Sequence, residues 1–183
     1  MRIVSGKFKG RRFSPPTHIT ARPTTDFAKE ALFNVLNNYI DFEECVVLDL
    51  FAGTGSISYE FASRGVRRVV SVEMSDKHLD FIHKIRQELG LAKIVYPIKM
   101  NVFRYIQQGK EKFDVVFADP PYEMKELPQL PELVMSSNLL NDNGIFILEH
   151  SAKQDFSQEP NFMEHRQYGN VNFSLFAKKS VEA

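Results

Sequence analysis

Four consecutive residues near the middle of the chain bring together groups that rarely adjoin at the end of a strand. They are Asp119, Pro120, Pro121 and Tyr122, within VVFADPPYEMK at 115–125. Proline cannot donate to a β-ladder, so the apolar run leading into Asp119 must stop there. A plain turn would need only Gly or Asn. This strand end instead offers a carboxylate, a backbone carbonyl stiffened by two proline rings and an aromatic face. Together they make two hydrogen-bond acceptors beside a stacking surface.

Three other stretches carry residues of similar interest. In DLFAGTGS (49–56), Gly53 and Gly55 let the backbone turn tightly and approach a ligand closely. No Gly-Lys-Ser/Thr follows, which excludes a nucleoside-triphosphate loop. The third position after Gly55 is Ser58, so the dinucleotide pattern G-x-G-x-x-G is incomplete. Taken alone, the loop suits a structural turn as well as a ligand cradle. Glu73 closes VVSVE, 24 residues after Asp49. A carboxylate there can accept both hydroxyls of a ribose, or be a surface acid after a strand. Asn101, in KMNVFRY, can read the edge of a purine or cap a helix.

Some chemistries are excluded. The single cysteine, Cys45, precludes an internal disulfide or a cysteine metal cluster, and reads as a small buried hydrophobe. His18, His78, His83 and His165 are scattered, so no metal site is expected. His150 and Ser151 adjoin, but no nucleophile elbow supports a Ser-His pair. Glu149 before them is a candidate to cap the crevice near a substrate.

These residues need a scaffold. VVLDLF (46–51), RRVVSVE (67–73), KIVYPIKM (93–100), FDVVFAD (113–119) and GIFILEH (144–150) read as strands. Helical patterns near 56–64, 75–89, 102–109 and 129–137 separate them, with Leu79, Ile82, Ile85 and Leu89 on one side of the second. Apolar strands alternating with helices predict a doubly wound α/β domain with a parallel sheet and right-handed crossovers. Ligands then bind outside the carboxyl ends of the strands, where every candidate above lies. The tail predicts a closing antiparallel hairpin that turns at Tyr168-Gly169-Asn170. Ahead of the sheet, Thr25 is a predicted N-cap. Phe27, Ala28, Ala31, Leu32, Val35, Leu36 and Tyr39 fall at helical spacing.

With 183 residues, one domain, or one domain with a small appendage, is expected. The 23 cations balance 23 acids, which argues against indiscriminate nucleic-acid binding, but the balance is uneven along the chain. Arg2, Lys7, Lys9, Arg11, Arg12 and Arg22 all precede the first acid, Asp26, with Phe8 and Phe13 among them. Such a segment can grip phosphates and stack on bases, or be a solvated basic hairpin. No apolar stretch reaches the roughly 20 residues of a membrane span, and no secretory signal is read at the start. A cytoplasmic protein is expected.

VLDLFAGTG, VVSVE and DVVFADPPY together resemble the Rossmann-like S-adenosylmethionine-dependent methyltransferases over about residues 45–150. Asp-Pro-Pro-Tyr is similar to the signature of those that methylate planar exocyclic amines. A narrower resemblance runs through nearly the whole chain: RIVSGKFKGRRF…RPTTDFAKEALFNVL ahead of DLFAGTGS looks like the bacterial family that methylates a guanine amine (N2) in small-subunit (16S) ribosomal RNA. Members often carry a basic residue at the position of Phe27 and an acid at that of Asn101.

The resemblance implies a mostly parallel seven-stranded sheet with a C-terminal antiparallel hairpin and a small N-terminal hairpin and helix. It implies a basic RNA-contacting extension over 1–24 and a methyltransferase domain over 25–183. Asp119, Pro120, Pro121 and Tyr122 become catalytic. Asp49, Phe51, Ala52, Gly53, Thr54, Gly55, Glu73, Met74, Asn101, Val102 and Asp119 become cofactor-binding. Arg2, Lys7, Lys9, Arg11, Arg12, Arg22 and Thr24 become substrate-binding, with Arg22 and Thr24 closing over the base. The implied partner is small-subunit ribosomal RNA, free or assembled, met by a monomer without a metal or a membrane. Asp119 and the Pro120 carbonyl would hold the two N–H bonds of the amine while Tyr122 stacks on the base. With an ordinary pKa near 4, Asp119 is expected to orient the amine rather than deprotonate it. Other targets of the same chemistry are adenine in DNA or RNA and a protein glutamine. A non-catalytic nucleotide-binding module and a nicotinamide oxidoreductase are the alternatives of another class.

Overall fold

The computed structural model describes residues 1–17, 19 and 24–178. Thr25 caps α1 (Asp26–Leu36) as predicted: its Oγ1 accepts the Ala28 N–H at 3.1 Å. The buried face of this helix differs from the predicted one. Ala28, Leu32 and Leu36 are buried, but Lys29 and Phe33 complete the face. Phe27 is 67% exposed, and Tyr39 lies past the helix end, also exposed. Lys29 turns its ammonium inward to 3.6 Å from Glu60, and Phe33 packs its ring on Phe61 at 4.6 Å, so the buried face is centred on these residues with Leu32 and Leu36.

Strands and helices then alternate: β1 (Val46–Leu50), α2 (Ser56–Ser63), β2 (Arg68–Glu73), α3 (Asp76–Glu88), β3 (Val95–Lys99), α4 (Val102–Gln108), β4 (Phe113–Ala118), α5 (Leu130–Ser136) and β5 (Leu140–His150). A hairpin closes the chain, β6 (Phe162–Tyr168) and β7 (Val171–Ala177), turning at Gly169-Asn170 as expected. The seven strands form one sheet in the order β3-β2-β1-β4-β5-β7-β6. β1 to β5 are parallel, and β7 runs antiparallel to both β5 and β6. The predicted start of β5 at Gly144 is corrected. The strand begins at Leu140, because Asp142-Asn143-Gly144 forms an irregularity inside the β4–β5 ladder and does not end it.

Alternation along the strands assigns the two faces. Val47, Val69, Val115, Phe117, Ile145 and Ile147 join the core under α1, α2 and α3. Leu48, Val70, Val116, Phe146 and Leu148 join the core under α4 and α5. Pro97 sits in the edge strand β3, where a missing N–H costs least. Among the described residues no helix is long and apolar enough to cross a membrane.

The N-terminal segment is fastened to this body. Arg2 and Arg12 face each other across an isolated antiparallel bridge. Val4 N–H and Ser5 N–H donate to the Glu60 carboxylate at 2.8 and 3.0 Å, and Lys7 N–H to the Ser63 carbonyl at 2.7 Å. Gly6 has φ +79°, and a Cβ there would lie 1.9 Å from the Ser63 carbonyl oxygen, so only glycine fits. The expected base-stacking role of Phe8 and Phe13 is corrected. Phe13 is buried against Tyr59 and Phe8 packs on the same core, so both rings seat the segment. Lys7, Lys9, Arg11 and Arg12 remain exposed, while Arg2 forms an ion pair with Asp26 at 2.9 Å.

Candidate active site

The strand order reverses direction between β1 and β4, the switch point at which an open α/β sheet forms its crevice. Leu50 and Ala118 are register partners. The residues that follow them, Phe51 and Asp119, are therefore brought to the same place. This one pairing joins the glycine loop to the Asp-Pro-Pro-Tyr turn. Asp49, Phe51, Ala52, Gly53, Thr54 and Asp119 line a common cavity, and Thr24 reaches it from the start of α1.

The loop conformation depends on its glycines. Gly53 and Gly55 have φ +54° and +82°. A Cβ on Gly53 would meet nothing nearer than the Phe51 carbonyl oxygen at 3.9 Å, so that side is open space that a side chain would fill. A Cβ on Gly55 would fall 2.6 Å from the Tyr59 ring. The Tyr59 hydroxyl is buried with no hydrogen-bond partner among the described residues. Glu73 supports the loop from β2. One of its oxygens accepts the Gly53 N–H at 2.7 Å, and the other accepts the Met74 and Ser75 N–H groups, each at 2.9 Å. An adjoining cavity of about 200 Å³ is lined by Phe51, Glu73, Met74, Asn101, Val102, Phe103 and Met124. Its walls are apolar apart from Glu73 and Asn101, which suits a nucleoside with one carboxylate at the ribose. Asn101 also caps α4, its Oδ1 accepting the Arg104 N–H at 3.2 Å, which is the capping alternative.

On the β4 side, Glu149 at the end of β5 accepts from the Tyr122 hydroxyl at 2.9 Å and from Thr24 Oγ1 at 2.7 Å. One carboxylate thus fixes the aromatic ring and the segment entering α1. Pro120 is buried and Pro121 exposed. Burial, then the charges of Glu149 and Asp49, push the Asp119 carboxyl well above the ordinary carboxylate range. The value near 4 expected from sequence is corrected accordingly. Asp49 is also pushed up, to about 7, by burial and by the charge of Glu73, against the pull of its hydrogen bond from Ser58. That bond is 2.5 Å long, and the Ser58 and Ser71 hydroxyls are 2.7 Å apart behind it.

Some functional contacts were missing from the sequence reading. Ser58 and Ser71 had a legible signal, since each is polar on an apolar face, but nothing in sequence says that Ser58 meets the Asp49 carboxylate with Ser71 behind it. Phe103 and Met124 look like ordinary apolar residues until the fold brings them to the cavity. Among the described residues, the basic ones of the N-terminal segment do not line the Asp119 cavity. Arg2 and Arg12, with Thr24, Thr25 and Asp26, line a separate cleft of about 340 Å³ beside it. Arg22 lies outside the described residues. His150 uses its ring on the Ser174 hydroxyl and the Ser151 carbonyl, consistent with no role as a base. Cys45 is buried, as its sequence context suggested. Among the described residues no group of His, Cys, Asp and Glu is arranged to hold a metal.

Residues 1–177 match the family model described as "Conserved hypothetical protein 95". The chain is 31% identical over 181 residues to "Ribosomal RNA small subunit methyltransferase D" of Buchnera aphidicola subsp. Baizongia pistaciae, covering 96% of this chain and 91% of the relative. It is 30% identical over 182 residues to the protein of the same name from Haemophilus influenzae, covering 96% and 93%. The solved structure "Putative methyltransferase yhhF from Escherichia coli" superposes with a TM-score of 0.84 at 25% identity, over 97% of each chain.

Proposed function

The chain belongs to the Conserved hypothetical protein 95 family, with ribosomal RNA small subunit methyltransferases D among its relatives, and we propose that it methylates the exocyclic amine (N2) of a guanine in small-subunit ribosomal RNA. Its cofactor is S-adenosylmethionine. The open space beside Gly53, the Glu73 carboxylate and the apolar walls around Phe51 and Val102 fit that molecule. When bound, it supplies an electrophilic methyl group on a sulfonium.

The observation that carries the reading is the Leu50–Ala118 pairing, which puts the acceptor turn and the glycine loop on one cavity. A guanine amine is a poor nucleophile because its lone pair is delocalised into the ring. The Asp119 carboxylate and the Pro120 carbonyl accept its two N–H bonds and turn the lone pair out of that conjugation. The Tyr122 ring, held through its hydroxyl by Glu149, packs on the base plane. Such positioning supplies much of the acceleration. As the N–C bond forms and the methyl–sulfonium bond breaks, the amine acidifies, and the Asp119 carboxylate, placed on one of its N–H bonds, takes the released proton. A paired guanine cannot enter, so the nucleotide is unpaired or flipped out.

Residues 1–24 form the RNA-contacting extension and 25–183 the methyltransferase domain. The exposed Lys7, Lys9, Arg11 and Arg12 hold phosphates. Thr24 reaches the cavity that would take the base, and Arg22 is assigned with it to close over that base. The enzyme works as a cytoplasmic monomer. Nucleoside mass spectrometry of ribosomal RNA from a strain lacking the protein tests the reading. Loss of one N2-methylguanosine from the small subunit is expected, and an unchanged modification map would count decisively against it.

A further inference from the structure

We propose that Phe27 and Tyr168 form a platform on which an unpaired base of the RNA substrate, next to the target guanine, stacks. The platform rests on the RNA reading above. Phe27 is 67% exposed, more than any other exposed large apolar residue described. It is braced: its ring meets Tyr168 edge-to-face at 6.0 Å and 87°, and Tyr168 in turn leans on buried Phe173 at 6.2 Å. A row of rings thus runs from the core to a solvent-facing phenyl. A floppy surface residue would be unremarkable, whereas a braced one presents a surface whose ordering cost is already met.

Topology puts this surface at the active site. Tyr168 pairs with Val171, and Asn172 pairs with His150 at the end of β5. The hairpin turn therefore stands at the same end of the sheet as Glu149, with β7 between β5 and β6. Thr24, three residues before Phe27, donates to Glu149. On the other side, Asp26 and Thr25 line the 340 Å³ cleft with Arg2 and Arg12. An aromatic face on the helix whose first turn borders the exposed Arg12 guanidinium is a combination that holds single-stranded RNA, with phosphates on the cation and bases on the ring. Size favours one base over a protein. Two rings cover far less than the roughly 1,000 Å² that a stable protein interface buries.

The test compares wild type with Phe27→Ala and Phe27→Trp. The readouts are KM for small-subunit ribosomal RNA at several salt concentrations, affinity for S-adenosylhomocysteine, and sedimentation. Phe27 is exposed, so neither change should disturb folding. Loss of one stacked base is expected to raise KM for RNA about tenfold in the alanine variant. Tryptophan should restore it. The salt slope should stay unchanged, because stacking releases no counterions, and S-adenosylhomocysteine affinity should also hold. An unchanged KM would overturn the platform while leaving guanine methylation standing. A wild-type dimer that dissociates on Phe27→Ala would overturn it in favour of a self-contact. A wild type that methylates no guanine amine in ribosomal RNA would remove the function reading and the platform with it.

Discussion

Glu60 and Asp119 are acids that the fold withdraws from water in opposite ways. Glu60, wholly buried, accepts from Val4 N–H, Ser5 N–H and Arg64 Nε, with the Lys29 ammonium 3.6 Å away. Its cost is met inside the chain, and in meeting it the carboxylate pins the N-terminal segment to α2. Asp119 has no ion-pair partner among the described residues, and its neighbours include the acids Glu149 and Asp49. Buried acids without a cation titrate upward, and such groups mark sites that await a ligand. The first region is electrostatically complete. On the proposed reading, a sulfonium supplies the positive charge that the second lacks.

The contrast predicts different failures. Asp119→Ala should lower methylation by about 10³-fold or more, while S-adenosylhomocysteine affinity stays within a few-fold. Near-normal turnover would erase the distinction between the regions. Glu60→Gln should do the reverse. Leaving Lys29 buried without its carboxylate costs about 3–5 kcal/mol, read as a lower denaturation midpoint. Loss of activity without loss of stability would move Glu60 into the site.

Asp49→Asn should make the ligand-free protein more stable in alkali. An acid whose native pKa is raised to about 7 from 3.8 binds protons better folded than unfolded, so stability falls as pH rises between those values and then levels off. The penalty above pH 7 is roughly 4 kcal/mol, of which the lost Ser58 bond takes back about 1. Thermal melts from pH 4 to 9 should show a shallower decline in the variant. An identical decline would place the titration elsewhere. Smallest is the effect of replacing both Arg11 and Arg12 by alanine, which should weaken RNA binding and reduce the salt slope by about two. An unchanged slope would take the exposed cations out of the RNA interface.

The two regions were also unequally legible in the sequence. Strand ends, glycine turns and Asp-Pro-Pro-Tyr are local signals, so β1 to β4 and the contents of the crevice could be read from spacing. Thr25 as a cap and the Gly169-Asn170 turn were legible for the same reason. The Lys29–Glu60 pair was not. It joins residues 31 positions apart, and a lysine inside a helical pattern reads as solvent-facing. Lys29 and Phe33 lie on the buried face of α1 and Phe27 does not, so the apolar stripe differs from the predicted one. Phe8 and Phe13 misled because a basic context hides a buried ring. The raised pKa values of Asp49 and Asp119 depend on burial and on mutual approach, which no single segment encodes.

Calorimetry of cofactor binding near pH 7, in buffers of different ionisation enthalpy, tests the electrostatic account most directly. A sulfonium placed by the acid cluster should lower the pKa of Asp49 and Asp119 and expel protons into the buffer. S-adenosylhomocysteine, with a neutral sulfur, should expel fewer. Greater proton release for S-adenosylmethionine than for S-adenosylhomocysteine, lost in Asp49→Asn, is the expected result. Equal proton release for the two ligands would contradict the claim that this end of the sheet is built to receive a cation.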